Sequence, residues 1–199
     1  IYNPLNKNEI IRLSKKKVEN IFPKKKLKII SVGRLVDQKN QLTLLKAINI
    51  IKNLYPVKVV LIGRGVDLYK IKNYIKLNKL SKIVKVFYTS NPFPYIKQAD
   101  LFILSSKYEG LPNVLLESIV LKKMIISSAC PTGPKEILLD GKAGLLFKVG
   151  NYVELSQKII FFIKNKTKCK KLLNASIIKL NRFDYKINLK KYLSAIKKI

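Results

Sequence analysis

The chain has 199 residues, of which 48% are apolar, and 41 Lys and Arg residues against 11 Asp and Glu residues give it a net charge of +30. This length suits one domain with a sizeable core, and no apolar run approaches the ~18 residues that a membrane-spanning helix needs. The absence of histidine and the wide separation of Cys130 and Cys169 argue against zinc sites, disulfide frameworks and histidine-based nucleophilic catalysis, and they fit a reducing, cytoplasmic setting.

The first residues, IYNPLNKNEI, lack the basic and apolar regions of a signal peptide. Because they also lack an initial Met, we expect the chain to be a fragment of a longer protein.

From residue 27 onwards, short β-branched runs alternate with amphipathic helical segments. Continuous runs of Ile, Val and Leu are typical of parallel strands that are covered on both faces. The order predicts an α/β fold with a Rossmann-like, doubly wound parallel sheet of about six strands, helices on both faces, and further C-terminal helices. The predicted strands are 27–33, 57–63, 83–89, 100–106, 124–129 and 144–150. The predicted helices are 40–55, 66–80, 95–99, 113–122, 134–140, 152–165, 168–181 and 185–198, with Gly133 and Asp184 as caps of the helices that follow them.

The net charge raises nucleic acid as a partner. However, the cations are 37 Lys and only 4 Arg, and Arg is the residue whose guanidinium makes bidentate hydrogen bonds to bases and phosphates. We therefore interpret most lysines as a solvated surface and disfavour nucleic acid, while peripheral contact with an anionic membrane is compatible with the charge. On charge alone, a nucleic-acid-binding or anionic-surface-binding Rossmann-like module remains the alternative.

Ligands of a doubly wound sheet bind at the carboxyl edge of the strands, beside the topological switch. The loop GRLVDQKN (33–40) carries Arg34 and Lys39, which could grip a diphosphate, and Gly33 leaves space beside the sheet edge. Two ordinary surface cations are the alternative. The GRG segment (63–65) lacks the third glycine of a dinucleotide fingerprint and is interpreted as a tight turn.

The segment KYEGLPNVLLES contains two of the few carboxylates, Glu109 and Glu117. Gly110 and Pro112 interrupt regular secondary structure after the predicted strand. Asn113 is predicted to cap a helix whose first-turn N–H groups form an anion site. The two carboxylates could then face one pocket and accept hydrogen bonds from sugar hydroxyls on either side of a phosphate, as a nucleotide sugar would require. Alternatively, one Glu stabilises the helix dipole and the other faces solvent.

Three segments in order, GRLVDQKN, EGLPNVLLE and CPTGPKEILLDGKAGLLF, resemble the C-terminal, donor-binding domain of retaining glycosyltransferases of family GT4, which have the GT-B fold. The resemblance covers roughly residues 27–150, and IYNP is similar to the segment that enters this domain. Glu109 and Glu117 match the family's Glu-x7-Glu motif. Phe87 stands where the family often has Gly.

The resemblance implies roles for individual residues. Arg34 and Lys39 would bind the donor diphosphate and stabilise the leaving group, and Glu109 would contact the transferred sugar near its reacting carbon; these three are the implied catalytic residues. Glu117 would hold the ribose hydroxyls. Further implied donor-binding positions are Gly33, Thr89 (main chain, near the base), Gly110, Asn113, and Val114 and Leu115 (main-chain N–H groups, near the phosphate).

The resemblance also implies an activity: transfer of a hexose or N-acetylhexosamine from a nucleotide sugar, most commonly a UDP-sugar, to a glycan or lipid-linked acceptor, at the cytoplasmic membrane face. No metal or other cofactor is expected, and no Asp-x-Asp motif is present. Residues 1–199 would form the donor-binding domain alone, without the N-terminal acceptor domain on which the helix 185–198 would pack, so we expect the fragment to be inactive by itself. An epimerase of GT-B architecture is a further alternative.

Overall fold

The core of the chain is a six-stranded sheet in which every strand pairs in parallel with its neighbours. The computed structural model describes residues 2 and 4–197. The strands are Leu27–Val32 (β1), Val57–Ile62 (β2), Val84–Phe87 (β3), Leu101–Leu104 (β4), Met124–Ser128 (β5) and Leu145–Phe147 (β6). Their order across the sheet is β3-β2-β1-β4-β5-β6, which confirms the predicted doubly wound, Rossmann-like fold.

Both faces of the sheet are buried. Successive strand residues point to opposite faces, and the core follows this alternation: Ile29 packs in one cluster and Ile30 in the other, as do Leu101 and Phe102. All four side chains are fully inaccessible to solvent. This two-sided burial explains why the strands read as continuous apolar runs rather than as alternating patterns.

Helices cover both faces, as predicted. The helices α2, α3 and α7 contribute buried side chains to the cluster around Ile29, whereas α1, α4, α5 and α6 contribute to the cluster around Ile30. Among the described residues, no helix is both long enough and apolar enough to cross a membrane. The α-helices are Lys7–Ser14 (α1), Gln41–Ile51 (α2), Leu68–Leu77 (α3), Phe93–Gln98 (α4), Asn113–Val120 (α5), Pro134–Ile137 (α6), Tyr152–Lys164 (α7), Lys166–Lys179 (α8) and Tyr185–Ile196 (α9).

The helix α1 was not predicted. It begins after Asn6, whose side chain accepts a hydrogen bond from the N–H of Glu9, so the capping signal Asn-x-x-Glu was present in the sequence. Several predicted helices are shorter than expected, among them α2 and α6. Asn40 adopts a left-handed conformation with φ 46°, which delays the start of α2, and the left-handed Asp140 separates α6 from a following 3₁₀ turn. The predicted caps Gly133 and Asp184 are confirmed.

The two ends of the described chain lie together. The N–H of Leu5 donates to the carbonyl of Phe183 at 3.0 Å, and the N–H of Tyr2 donates to the side-chain oxygen of the buried Asn188, also at 3.0 Å. The apolar side chains on the outer surface of α9 are exposed: Ile187, Leu189, Tyr192, Leu193 and Ile196. Three residues of the predicted entry segment IYNP and of the predicted helix 185–198 lie outside the described residues, namely Ile1, Asn3 and Lys198, and so does Ile199.

Close backbone approaches at the carboxyl edge require glycine. A Cβ atom on Gly63 would lie 1.9 Å from the carbonyl oxygen of Gly33, and one on Gly65 would lie 2.2 Å from that of Leu35. The loops after β1 and β2 are joined there by a hydrogen bond from the Leu35 N–H to the Arg64 carbonyl at 2.9 Å. The GRG segment is therefore a tight junction that holds the loop after β1 in place.

We expect Gly63→Ala to lower the free energy of unfolding by about 1–3 kcal/mol, because backbone atoms at this junction must move apart. Urea denaturation followed by circular dichroism measures the change. Gly110→Ala is the matched control: its added Cβ meets no atom within 4 Å, so its effect should stay within about 0.5 kcal/mol. Equal stability of the two variants would contradict the steric role assigned to Gly63.

Candidate functional site

The candidate site lies where the sheet changes its winding direction. After β1 the chain continues through α2 on one face towards β2, whereas after β4 it continues through α5 on the other face towards β5. The loops after these two adjacent strands therefore diverge and leave a crevice at the carboxyl edge. The loop after β1 carries Arg34 and Lys39, and the loop after β4 carries Glu109.

A buried ion pair bridges the two loops. The Nζ atom of Lys39 lies 2.6 Å from Oε1 of Glu109, and the two side chains are only 15% and 6% exposed. The hydroxyl of Ser106, which is itself inaccessible, donates to the same Glu109 oxygen at 2.5 Å. The aliphatic part of Lys39 passes 3.6 Å from the place where a Cβ of Gly33 would stand, which is an ordinary packing distance.

The ion pair leaves unused hydrogen-bonding capacity. Lys39 can donate three hydrogen bonds and a carboxylate can accept about four, whereas the described residues engage one Lys39 proton and only Oε1 of Glu109. The second carboxylate oxygen and two ammonium protons therefore remain for a ligand. A cation for phosphate and an acceptor for hydroxyls thus lie side by side.

Further hydrogen bonds join the two loops and include Arg34. The Arg34 guanidinium donates to Gln38 Oε1 at 3.1 Å, and the Gln38 amide donates to the Tyr108 carbonyl at 3.0 Å. The N–H of Lys107 donates back to the Gln38 carbonyl at 2.8 Å. These hydrogen bonds hold the loop after β1 against the loop after β4. Arg34, which is one of the two predicted diphosphate ligands, is exposed.

The loop after β5 supports Glu109 from the opposite side. The hydroxyl of Thr132 donates to the Glu109 carbonyl. Gly133, at φ 68°, approaches Gly110 so closely that a Cβ would lie 1.8 Å from its carbonyl oxygen. Deeper in the site, the Cys130 thiol donates to the Ser106 carbonyl at 3.2 Å; burial raises the pKa of this thiol, which favours the protonated donor.

The start of α5 differs in detail from the prediction. Pro112 has extended backbone angles and occupies the cap position, so Asn113 is the first helical residue and its side chain makes no capping hydrogen bond; the predicted Asn113 cap is wrong. The Leu115 N–H, which was expected to contact phosphate, donates to the Pro112 carbonyl at 3.0 Å. Within the described part of the chain, the N–H groups of Asn113 and Val114 have no acceptor. An anion could therefore approach one residue earlier than expected.

Glu117 lies one turn inside α5, on a helix whose other side packs in the core. Burial raises the pKa of the Glu117 carboxyl above its ordinary value. Among the described residues, no hydrogen bond or ion pair engages this carboxylate. A desolvated acid without a partner is costly for a fold and is more typical of ligand-binding positions than of structural ones.

Thr89 lies apart from the group around Lys39. It follows β3, at the edge of the sheet and two strands away from β1, and its hydroxyl accepts a hydrogen bond from the Asn91 N–H at 3.2 Å. Between Thr89 and the crevice, the Arg64 guanidinium stacks 4.7 Å from the centre of the Tyr88 ring. The structure thus gathers Gly33, Arg34, Lys39, Glu109 and Gly110 in one place, with Thr89 on a neighbouring loop.

Two side chains that hold Glu109 were missed by sequence reasoning: Ser106 and Thr132. Ser106 belongs to the pair of serines that ends the apolar run of β4. A buried hydroxyl at a strand's carboxyl end needs a partner, which is the signal that could have identified it. Thr132 carries no comparable signal, because its contact depends on how the loops after β4 and β5 approach each other.

The fold is a Rossmann-like domain of the kind found in proteins of GT-B architecture. Sequence comparison goes further: the chain belongs to the family described as glycosyl transferases group 1, whose pattern matches residues 14–179.

Individual relatives agree with this assignment. The chain is 37% identical over 125 residues to an uncharacterised glycosyltransferase of Methanocaldococcus jannaschii, covering 62% of this chain and 30% of that protein. It is 29% identical over 185 residues to the N-acetylgalactosamine-N,N'-diacetylbacillosaminyl-diphospho-undecaprenol 4-alpha-N-acetylgalactosaminyltransferase of Campylobacter jejuni, covering 92% of this chain and 49% of the relative. The chain therefore spans at most about half the length of these curated relatives.

A solved structure shows the same fold. The crystal structure of Anabaena HepE in complex with UDP superposes with a TM-score of 0.80 at 18% sequence identity, over 88% of this chain and 50% of that one. At this identity the likeness concerns the fold alone.

We expect Glu117→Gln to raise the free energy of unfolding of the ligand-free chain at neutral pH. The folded-state pKa of Glu117 is raised, so its contribution to stability is present at low pH and is lost as pH rises above the unfolded value of about 4.3. The gain should therefore shrink towards zero as the pH falls below that value.

Denaturant unfolding across a pH series measures this gain. Glu19→Gln is the control, because its side chain is 77% exposed and its substitution should change stability little at either pH. A Glu117→Gln variant that is less stable than wild type at neutral pH would show that the carboxylate is stabilised by the fold.

Proposed function

We propose that this chain is the donor-binding half of a retaining glycosyltransferase. It would bind a nucleotide sugar, preferentially a UDP-sugar, and present a hexose or N-acetylhexosamine to a glycan or lipid-linked acceptor bound by the other half. The observation that carries this proposal is the Lys39–Glu109 pair at the switch of the sheet, with Arg34 tied to the same loops. The pair puts a cation and a carboxylate side by side, as the binding of a diphosphate next to a sugar would require.

The relatives support the substrate class. The Campylobacter relative is named for the transfer of N-acetylgalactosamine to a diphospho-undecaprenol acceptor with alpha linkage, and the Anabaena structure contains UDP. The membership in glycosyl transferases group 1 favours a transferase over an epimerase of the same architecture. We carry these properties to the present chain as part of the proposal.

The chemistry follows from the charges at the crevice. Breaking the bond between the sugar and the diphosphate leaves negative charge on the departing phosphate, and preorganised donors in a sheltered site stabilise that charge. Arg34 and Lys39 would supply this stabilisation, together with the free N–H groups of Asn113 and Val114. Glu109 would accept a hydroxyl of the transferred sugar, and Glu117 would accept the ribose hydroxyls. The main chain near Thr89 would meet the base.

The proposed enzyme needs a second domain. The described chain spans about half of its Campylobacter relative, and α9 exposes a row of apolar side chains beside the N-terminal segment. Large exposed apolar patches mark interaction surfaces, and we propose that the acceptor-binding domain of the full-length protein covers this one. The cationic surface would suit work at the cytoplasmic membrane face, next to anionic lipids.

Donor binding tests the proposal directly. We expect UDP to bind the chain saturably in isothermal titration calorimetry, and we expect Arg34→Ala to weaken binding about tenfold or more, as the loss of a charged hydrogen bond predicts. Glu117→Gln should also weaken UDP binding while it stabilises the empty fold. This combination of opposite effects distinguishes a ligand-binding role from a structural one.

The control for charge is Arg12→Ala, which removes one cation from the exposed surface of α1 and should leave UDP affinity within about twofold. DNA binding that falls steeply with salt, and that ignores Arg34→Ala and Glu117→Gln, would instead favour the nucleic-acid alternative. Absence of UDP binding by the folded chain would overturn the donor-site proposal.

We further expect the isolated chain to transfer no sugar, because the acceptor-binding half contributes the other wall of the cleft. Release of UDP from UDP-N-acetylglucosamine or UDP-glucose, in the presence of membrane extract as a mixed acceptor, measures this. Turnover by the 199-residue chain, with a glycosylated product, would show that the proposed division of labour is wrong. Conversion of the donor into its epimer without acceptor would identify the epimerase alternative.

A further inference from the structure

The amino edge of the sheet, opposite the donor crevice, contains two adjoining cavities. One has a volume of about 310 Å³ and lies between the starts of β4 and β5 and the helix α8; the other has about 360 Å³ and lies between the starts of β1 and β2 and the end of α7. Both are lined by Asp100 and Lys166. Because they share these two residues, we treat the two cavities together and call them the amino-edge cleft.

Lysine dominates this cleft. Seven of its 17 lining residues are Lys, against 37 Lys in 199 residues overall, so lysine is about twice as frequent as in the whole chain. Asp100 is the single acidic residue among those that line the cleft, and its Oδ2 already accepts a hydrogen bond from the Lys28 N–H at 3.0 Å. The lining lysines are Lys24, Lys25, Lys26, Lys122, Lys123, Lys166 and Lys170.

Most of these lysines are exposed, and Lys26 and Lys123 are partly buried. Burial lowers the pKa of Lys123, while the charge of Asp100 raises it and the charges of Lys28 and Lys97 lower it. Burial also lowers the pKa of Lys166, and Asp100 raises it; the Lys166 ammonium lies 3.6 Å from the centre of the Phe162 ring. Cations on concave walls focus a positive potential into the space between them.

From this geometry we infer that the amino-edge cleft binds a phosphate-bearing anion at a site separate from the donor crevice. Lysine ammonium groups bind phosphate as mobile point charges, and several of them can meet the several oxygens of a phosphate or oligophosphate. The cleft has room for a group of this size. Strands of six residues separate the two edges by roughly 20 Å, so one ligand cannot fill both sites.

Attraction between an anion and the lining lysines supplies the driving force. An anion in the cleft would contact lysines from three parts of the chain at once: the turn before β1, the turn before β5 and the first turns of α8. Such a ligand would therefore stabilise the junction of these elements. This inference does not depend on the donor site, because none of the lining residues belongs to it.

Inorganic tripolyphosphate is the probe for the experiment. We compare the wild-type chain, a cleft variant (Lys26→Gln, Lys166→Gln, Lys170→Gln) and a control variant (Lys72→Gln, Lys76→Gln, Lys190→Gln) of the same net charge, whose substitutions lie at exposed positions on α3 and α9. Lys123 is left intact, because its ammonium donates to the carbonyls of Lys97 and Ala99 and helps to hold the fold. Calorimetry at low ionic strength measures binding, since salt screens exposed charges.

We expect the cleft variant to bind tripolyphosphate at least about tenfold more weakly than wild type and the control variant to stay within about threefold. Equal losses in both variants, or no binding by wild type, would overturn the inference. Arg34→Ala separates the two sites: it should leave cleft binding unchanged, even if UDP binding fails altogether.

A second arm identifies the source of the phosphate. Vesicles of equal parts phosphatidylcholine and phosphatidylglycerol are sedimented with each variant. If the vesicles retain wild type and the control variant but release the cleft variant, the phosphate belongs to a lipid headgroup. If tripolyphosphate binding depends on the cleft and vesicle binding does not, the ligand is a free phosphate compound.

Discussion

The candidate site depends on one constraint of topology: β1 and β4 are neighbours in the sheet, yet the chain leaves them towards opposite faces. Every loop that follows a parallel strand reaches the same edge, but only at this position do the loops separate. The Lys39–Glu109 pair spans that separation. A buried ion pair adds little net stability compared with an apolar pair, because desolvation offsets the attraction. What it determines is where two reactive side chains lie.

The surroundings of the pair show how the fold keeps it in position. Glycines at 63, 65 and 133 allow backbone to approach backbone from both sides, while Ser106 and Thr132 hold the side chain and the carbonyl of Glu109. Glu117 is different: it is desolvated but has no partner among the described residues. Neighbouring residues thus hold Glu109, whereas none of the described residues holds the carboxylate of Glu117. Under the proposed function, a ribose would supply the missing partners, so part of the binding free energy would relieve a cost already present in the fold.

The sequence predicted most of the fold because its signals are local and repeated. Six apolar runs predict the strands, and the helical spacing of apolar residues between the runs predicts most helices. Glycines that follow some of these runs mark the ends of strands, and they thereby indicate the carboxyl edge of the sheet. The helix α1 was missed although Asn6 and Glu9 carried its capping signal. The prediction that Asn113 caps α5 was wrong because Pro112, one residue earlier, has extended backbone angles and occupies the cap position. A helix boundary of this kind depends on tertiary contacts, here with Gly133.

The same limit applies to the site. Sequence spacing could suggest that Lys39 and Glu109 share an edge, but not that they form an ion pair, because that distance depends on how two loops of independent origin meet. The contributions of Thr132 and Gln38 are of the same kind, since each contacts a residue on a different loop, whereas Ser106 contacts Glu109 within one loop. Thr89 lies on a neighbouring loop for a similar reason. The strand order puts β2 between β3 and β1, and no single segment of the sequence encodes that order.

The net charge of +30 does not by itself indicate where an anion would bind, because that depends on the local balance of charges. Most acidic residues follow the carboxyl ends of strands, among them Asp37, Glu109 and Glu117, and there Lys39 and Lys107 are paired at 2.6 and 2.7 Å. At the amino edge, seven lysines surround a single aspartate. A uniform solvated surface would not separate the charges in this way. Under the inferred phosphate site, counter-charge rather than total charge decides where the chain attracts phosphate, because a nearby carboxylate offsets the attraction of a cation for an anion.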